Sequence, residues 1–132
     1  MLLSLFVSGC SARQNKPSDG RNAAEQIDTN RAEQLLSLSQ YFIRLVDGGD
    51  IEAALAMMND TMKEAIGDQL ESVWAQLIGS QGKFLDTGNY IGDTGDDYDA
   101  LEMTLIFENG TLIQRTVFDE ENLIIEIGRA HV

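Results

Sequence analysis

The feature that most constrains the fold is a pair of alternating apolar and polar segments joined by Asn109-Gly110. Residues 98–108 carry apolar side chains at every second position, and residues 111–118 resume the pattern. Alternation with a period of two is typical of strands that are buried on one face. Because Asn-Gly is the pair that two-residue hairpin turns favour, the sequence predicts a β-hairpin here. A second turn at 119–122 leads into a predicted last strand at 123–132.

The predicted turns also set a register for the sheet. A two-residue loop at Asn109-Gly110 places Phe107 opposite Leu112, and a four-residue second turn places Phe118 opposite Leu123. One face then collects the apolar residues Leu101, Met103, Leu105, Phe107, Leu112, Phe118, Leu123, Ile125 and Ile127. The other face is half apolar around an Arg115–Glu126 pair, which makes it a candidate interface formed by Ile106, Ile113, Val117 and Ile124.

Helices are predicted ahead of the hairpin, at residues 23–46, 51–58, 61–66 and 69–78. In the first, apolar residues recur every three or four positions, as on one face of a helix. A face of apolar strand residues needs a cover, and these helices are the segment available to provide it. The chain is therefore predicted to be an α+β protein with N-terminal helices packed on a curved antiparallel sheet.

Short polar residues and glycines predict where the later elements begin and end. Asp50 is placed to cap the second helix. Asp68 and Glu71 have the spacing of a capping box ahead of the fourth helix, and Gly79 is expected to end it. A strand with glycine interruptions is expected at 83–91.

The N-terminal segment predicts a lipid anchor. A short apolar run ends in Val7-Ser8-Gly9-Cys10, which resembles a bacterial lipobox, where the cysteine is lipidated and the chain is cut before it. Residues 1–9 are thus a predicted signal segment, residues 10–22 a lipidated Cys10 with a flexible tether, and residues 23–132 a single domain. An extracytoplasmic, membrane-anchored protein follows. The alternative is a chance cysteine, since no Lys or Arg precedes it.

Composition excludes some classes of function. The formal net charge is −13 and the isoelectric point about 4.2. A field of that sign repels nucleic acid, so no nucleic-acid partner is expected. A single cysteine also rules out a disulfide within the chain.

A family resemblance rests on several short segments in a fixed order. Residues 42–50 (FIRLVDGGD) precede Ala53-Ala54, and Trp74, Gly82-Lys83-Phe84 and Asn109-Gly110 follow. This order resembles domain-of-unknown-function family 3887, found in secreted and lipid-anchored proteins of Gram-positive bacteria. Helices followed by a curved antiparallel sheet likewise resemble the nuclear-transport-factor-2-like, or cystatin-like, cone. The family's activity is not established, so the resemblance implies no catalytic residue.

The cone shape implies a cavity between helices and sheet. Its candidate lining residues are Phe42, Met57, Met62, Trp74 and Phe84. The alternative is that these side chains simply fill the core, as apolar stripes at helical spacing usually do.

Residues suited to catalysis or metal binding are sparse. His131 is the only histidine, and no nucleophile stands in a recognisable motif. Asp93, Asp96, Asp97 and Asp99 lie close together but lack the EF-hand pattern, so no metal site is expected.

We therefore expect a membrane-anchored extracytoplasmic binding or protein-interaction module, without catalysis or cofactor. The expected partners are the membrane, through Cys10, and a second copy or an envelope protein at the outer sheet face. Two alternatives stay open: a small-molecule pocket protein, and a cone-type enzyme. The enzyme would draw its acid–base groups from Tyr41, Tyr90, Tyr98 and Asp86.

Overall fold

The computed structural model describes residues 28–131, and of His131 only the backbone. Within that range helices come first and strands follow, so the predicted α+β class is confirmed. The elements are α1 (Thr29–Asp47), α2 (Ile51–Leu55), α3 (Asp60–Ile66), α4 (Leu70–Gln81), β1 (Phe84–Thr94), β2 (Asp99–Phe107), β3 (Gly110–Phe118) and β4 (Ile124–His131). The strands form one antiparallel sheet in the order β1-β2-β3-β4, and α1 packs across β1 and β2.

Helix α1 has a side-chain cap at its start. The Oδ1 of Asp28 accepts a hydrogen bond from the backbone N–H of Arg31 at 3.0 Å. The predicted start at residue 23 lies outside the described residues. At the other end Gly49 has a φ of 85°, and Asp50 caps α2 by accepting from the Ala53 N–H at 3.3 Å. The predicted role of Asp50 is thus confirmed.

Helix α4 differs from the prediction at both ends. A 3-10 turn at Gly67–Gln69 precedes it, and no side chain caps its first residue, so the capping box predicted from Asp68 and Glu71 was wrong. The helix continues past Gly79 and stops at Gly82, which has a φ of 84°. A glycine in the left-handed region ends a helix effectively, whereas Gly79 keeps helical geometry.

The strand pairing in the β2–β3 hairpin is shifted by two residues from the predicted register. Phe107 pairs with Gly110 and Leu105 with Leu112, so the two-residue loop is Glu108-Asn109. The hairpin tip is fixed by the α4–β1 junction, because the Asn109 N–H donates to the Gln81 carbonyl at 2.8 Å. A shift of two leaves each side chain on its predicted face, since faces alternate with a period of two.

The β3–β4 pairing corrects one predicted interface residue. Phe118 pairs with Ile124 while Val117 pairs with Glu126, which is a register irregularity. Ile124 consequently faces the core, where it is fully buried, and its predicted place on the outer face was wrong. Backbone bonds hold it there: its N–H donates to the Met57 carbonyl at 2.8 Å. A register irregularity changes which face of the sheet the neighbouring side chains occupy, and the alternation in the sequence does not show where it occurs.

The predicted Arg115–Glu126 pair is replaced by another ion pair on the same face. Arg115 lies opposite Glu102 on β2 and Gly128 on β4. Its Nη1 is 3.1 Å from the Asp93 Oδ2 and 3.5 Å from the Glu102 Oε2. Burial alone would lower the pKa of Arg115, but the hydrogen bond and charge of Asp93, with Glu102, raise it above its ordinary value.

Arg31 ties α1 to the end of the sheet. Its Nε is 2.7 Å from the Asp99 Oδ2, and its Nη1 donates to the Asn122 Oδ1 at 2.7 Å. Asp99 also accepts from the Thr94 hydroxyl at 2.7 Å. Burial alone would raise the pKa of Asp99, but the bonds from Thr94 and Arg31 and the arginine charge hold it below 3.8.

Candidate functional site

A groove runs between α4 and the end of the β3–β4 pair. Its volume is about 440 Å³, within the usual range of ligand pockets. The wall is formed by Val73, Gln76, Leu77, Ser80, Leu112, Arg129 and Ala130. The first four come from successive turns of α4, and the others from the paired strands. The groove therefore combines an apolar wall with two neutral polar groups and one guanidinium.

Arg129 is held in place from two sides. Its Nε donates to the Gln114 Oε1 at 2.9 Å, and its guanidinium carbon lies 5.8 Å from the centroid of the Trp74 ring. Gln114 in turn donates from Nε2 to the Thr116 hydroxyl at 3.2 Å. Gln114 and Thr116 are both buried on the inner face of β3. This polar chain fixes the position of the guanidinium at the groove wall.

Arg129 differs from the other half-buried arginines in its ion-pair partners. Arg31 and Arg115 both form ion pairs, with Asp99 and Asp93 respectively. No described carboxylate forms an ion pair with Arg129. Burial lowers the pKa of Arg129, and no acid within the described part of the chain offsets this effect. A half-buried cation without a counter-ion in the described structure is costly, and it is suited to receiving an anion.

The candidate pocket residues named from the sequence are packed together instead of lining one cavity. Phe42, Met62 and Trp74 are buried in the core, and Met57 and Phe84 pack against it. The rings of Trp74, Phe84 and Phe107 contact one another with centroids 5.6 to 5.8 Å apart. Their side chains fill the space where a cone cavity was predicted. Phe84 also lines a pocket of about 240 Å³ with Gln40 and Asp47.

Trp74 nevertheless links that core to the groove. One part of the indole packs on Phe84 and Phe107, and the guanidinium of Arg129 lies over the ring. Its Nε1 donates to the Asp47 Oδ1 at 3.2 Å. Trp74 is the chain's single tryptophan and is 6% exposed. Trp74 thus lies between the aromatic core and Arg129, which lines the groove, so its fluorescence can report on both.

The remaining candidate interface residues stay on the outer sheet face. Ile106 and Ile113 are half-buried there, and Val117 is 4% exposed between its neighbours. The nearby edge strand β1 leaves Leu85, Tyr90 and Ile91 exposed, and Tyr90, Ile91 and Ile113 border a pocket of about 230 Å³. This face remains a second apolar surface.

The aspartates of the β1–β2 segment do not converge on one site. Asp93 pairs with Arg115 and Asp99 with Arg31, so two of the four already have cationic partners. Asp96 and Asp97 line an acidic pocket with Asp119 and Glu120. No group of residues suited to hold a metal ion occurs between residues 28 and 131.

The acid–base candidates also lie apart. Tyr98 borders the acidic pocket, Tyr90 the outer-face pocket, and Asp86 the pocket beside Phe84. Tyr41 is half exposed on α1. The described structure thus brings no tyrosine and Asp86 to a common pocket.

Sequence reasoning missed the groove residues, although one signal was present. On the inner face of β3 the order is Leu112, Gln114, Thr116 and Phe118, so two polar residues interrupt an apolar row. Buried polar residues need partners, and Arg129 is the partner that β4 supplies. Without the β3–β4 register, the sequence alone could not place Arg129 beside Gln114.

The fold and groove define a small two-layer α+β domain with a ligand-sized groove at one end. Residues 39–127 match the family described as "Protein of unknown function (DUF3887)", and the chain belongs to that family. No curated protein matches the chain. Among solved structures it is similar to one titled "NMR structure of protein from Ruminococcus gnavus ATCC 29149". That likeness has a TM-score of 0.59 at 12% identity, and it covers 77% of this chain and 90% of that one. It shows the shared fold.

Proposed function

We propose that this chain is a non-catalytic binding module that takes a small, largely apolar ligand into the α4–β4 groove. The observation that carries the proposal is the groove itself, about 440 Å³ with Val73, Leu77 and Leu112 on its wall. Val73 is 40% exposed although it is apolar, so a ligand that covers it would remove apolar surface from water. A concave apolar wall with a few fixed polar groups is the usual form of a ligand site.

The proposal places the module on the outer side of a cell membrane, anchored through a lipid on Cys10. Its support is the sequence Val7-Ser8-Gly9-Cys10, which lies outside the described residues. No helix within residues 28–131 has the length and apolar character needed to span a membrane. A cystatin-like cone is also part of the proposal. Its support is that the helices precede a sheet in which the pairings of β1 and β4 are irregular.

Groove binding is tested by native mass spectrometry of the full chain carrying Cys10→Ser, with octan-1-ol as the probe. The wild-type groove should hold one octanol molecule, and Val73→Asp should lose it because a carboxylate would then face the alkyl chain. Glu64→Gln, on the exposed face of α3, is the matched control. Equal binding by Val73→Asp would show that the groove is not the site.

Anchoring is tested by following the full chain in its native host. Cys10→Ser should release the protein into the medium or leave an uncut precursor. A correctly processed Cys10→Ser protein that stays in the membrane fraction would contradict the anchor.

A second candidate function is a protein-interaction surface at the outer sheet face. It is favoured by the exposure of Ile91, which is 64% exposed beside half-buried Ile113. Because Val117 is buried, Val117→Lys would disturb packing, and Ile113→Lys is the better probe. If the chain forms a dimer through this face, Ile113→Lys should convert it to a folded monomer in sedimentation. An unchanged sedimentation coefficient would count against the surface.

A further inference from the structure

We propose that the ligand of the α4–β4 groove is a monoanionic carboxylate on a short apolar body, with the carboxylate received by Arg129. The inference rests on the proposed function, because it names the class of ligand for the same groove.

The first observation is that Arg129 is already oriented. Gln114 accepts from its Nε, Thr116 accepts from Gln114, and the guanidinium carbon lies over the Trp74 ring, 5.8 Å from its centroid. Burying two polar side chains on the inner face of a sheet costs free energy unless both are hydrogen-bonded, and the hydrogen bonds of Gln114 and Thr116 lead to Arg129. Here they fix one arginine in one orientation. A guanidinium fixed in this way can present its terminal nitrogens to a carboxylate as a planar pair of donors.

The second observation is that those nitrogens are open to a ligand. Among the described side chains, only Gln114 accepts from Arg129, and it uses Nε. The terminal nitrogens are not among the buried polar atoms without partners, so they reach the groove or solvent. Among residues 28–131, no Asp or Glu lines the groove. An incoming carboxylate therefore meets a positive group without displacing a competing protein acid.

The third observation sets the rest of the ligand. Val73 and Leu77 on α4 line the groove together with Leu112 and Ala130 on the strands, so most of the wall that accompanies Arg129 is apolar. Gln76 and Ser80, the two polar wall residues on α4, are neutral and add no charge to the groove. A ligand that fills the groove thus needs an apolar part beside its charged head.

The fourth observation favours a single negative charge. Residues 28–131 contain twenty acidic and six basic side chains, so the domain's field repels anions in general. The groove offers one cationic group against that field. A phosphate monoester, which carries close to two charges at neutral pH, would be repelled more strongly than a carboxylate.

The experiment is a titration of the full chain carrying Cys10→Ser, followed by Trp74 fluorescence. The probes are sodium octanoate, octan-1-ol and octyl phosphate at fixed ionic strength. Octanoate should give a saturable response and bind more tightly than either of the others. Arg129→Gln should weaken octanoate binding roughly tenfold or more, with Arg129→Lys in between, because a charge-assisted paired contact is lost. Octanol binding should weaken much less than octanoate binding in Arg129→Gln, because the alcohol carries no charge to pair with the guanidinium. Arg44→Gln, at an exposed arginine, is the control.

The outcomes separate this inference from the proposed function. If Val73→Asp abolishes octanoate binding while Arg129→Gln leaves it unchanged, the claim that Arg129 receives the carboxylate is overturned, but the groove is still the binding site. Tighter binding of octyl phosphate than of octanoate would overturn the claim that the groove prefers a single negative charge. If octanoate gives no saturable response, the carboxylate inference is overturned. If octanol also gives none, the proposed function is overturned with it. Urea unfolding of Arg129→Gln shows whether its fold is intact. Some loss of stability is expected, because the buried Gln114 Oε1 loses its donor, although a half-buried charge is removed at the same time.

Discussion

The guanidinium of Arg129 lies 5.8 Å from the centroid of the Trp74 ring. The same indole donates its N–H to Asp47 at the end of α1, so α1, α4 and β4 meet at this side chain. Trp74 thereby joins the packed aromatic core to Arg129 on the groove wall. A change in the groove should therefore register in the emission of a single tryptophan, while the core residues stay as they are.

Ser39 offers a test of the packing between α1 and the sheet. Its hydroxyl is buried and has no hydrogen-bond partner among the described residues. Because an unsatisfied buried hydroxyl carries a desolvation cost, Ser39→Ala should raise the free energy of unfolding by about 1 kcal/mol. Urea unfolding measures the change. Ser37→Ala, on the exposed face of the same helix, should have a smaller effect, and a clear loss of stability in Ser39→Ala would contradict the packing described.

Two glycines of the α4 region should respond in opposite directions to alanine. Gly82 has a φ of 84°, and a Cβ there would lie 2.9 Å from the Glu108 Cβ and the Asn109 side chain. Gly82→Ala should lower the free energy of unfolding by about 1–3 kcal/mol, through backbone strain and crowding of the hairpin tip.

Gly79 is the matched control, since it lies inside α4 and a Cβ added there would meet no neighbouring element within 4 Å. Gly79→Ala should raise stability by about 0.5–1 kcal/mol through helix propensity. If α4 ended at Gly79, as the sequence suggested, the gain would be absent, so thermal unfolding of both variants tests the observed helix end.

The Arg31–Asp99 contact should make stability sensitive to acid. The pKa of Asp99 is lower in the folded protein than its ordinary value of 3.8. The contact therefore stabilises the fold fully above that value, and the contribution is lost as the pH falls through the lower folded pKa. Asp99→Asn should cost about 1–3 kcal/mol at pH 6.

The difference between wild type and Asp99→Asn should shrink as the pH falls below 3.8. Chemical unfolding at a series of pH values measures it, and Glu64→Gln, which removes an exposed carboxylate without an ion pair, gives the baseline. A difference that stayed constant with pH would show that the Asp99 charge contributes nothing.

The burial of Ile124 can be tested against a residue of the same type on the outer face. Ile124→Ala should cost about 2–5 kcal/mol, because it opens a cavity in the core. Ile113→Ala, on the half-buried outer face, should cost less. Equal costs in urea unfolding would favour the register in which both residues face outward.

The sequence predicted those parts of the fold that depend on local patterns. Period-two alternation identified β2 and β3, the Asp50 cap was placed correctly, and the order of helices before strands gave the α+β class. The inner row from Leu101 to Phe107 was also identified, since a shift of two does not change faces.

The errors lie where distant contacts decide. Two backbone hydrogen bonds set the position of Ile124: its N–H donates to the Met57 carbonyl, and its carbonyl accepts from the Asn59 N–H. The Gln81 carbonyl sets the tip of the hairpin by accepting from the Asn109 N–H. The groove was missed for the same reason, because Arg129 and Val73 are joined only by the packing of α4 against β4. The predicted pocket residues Phe42 and Trp74 are core residues, and aromatic content alone does not separate a filled core from a cavity.

The most direct test of the central claim is a ¹H–¹⁵N NMR titration of the full chain carrying Cys10→Ser with sodium octanoate. Saturable shifts are expected, largest at the amides of Val73, Leu77 and Ala130 and at the Trp74 indole N–H. In Arg129→Gln the same titration should need a much higher octanoate concentration. Shifts centred on Ile106 and Ile113, with the groove amides unmoved, would show that octanoate binds the outer sheet face and not the groove.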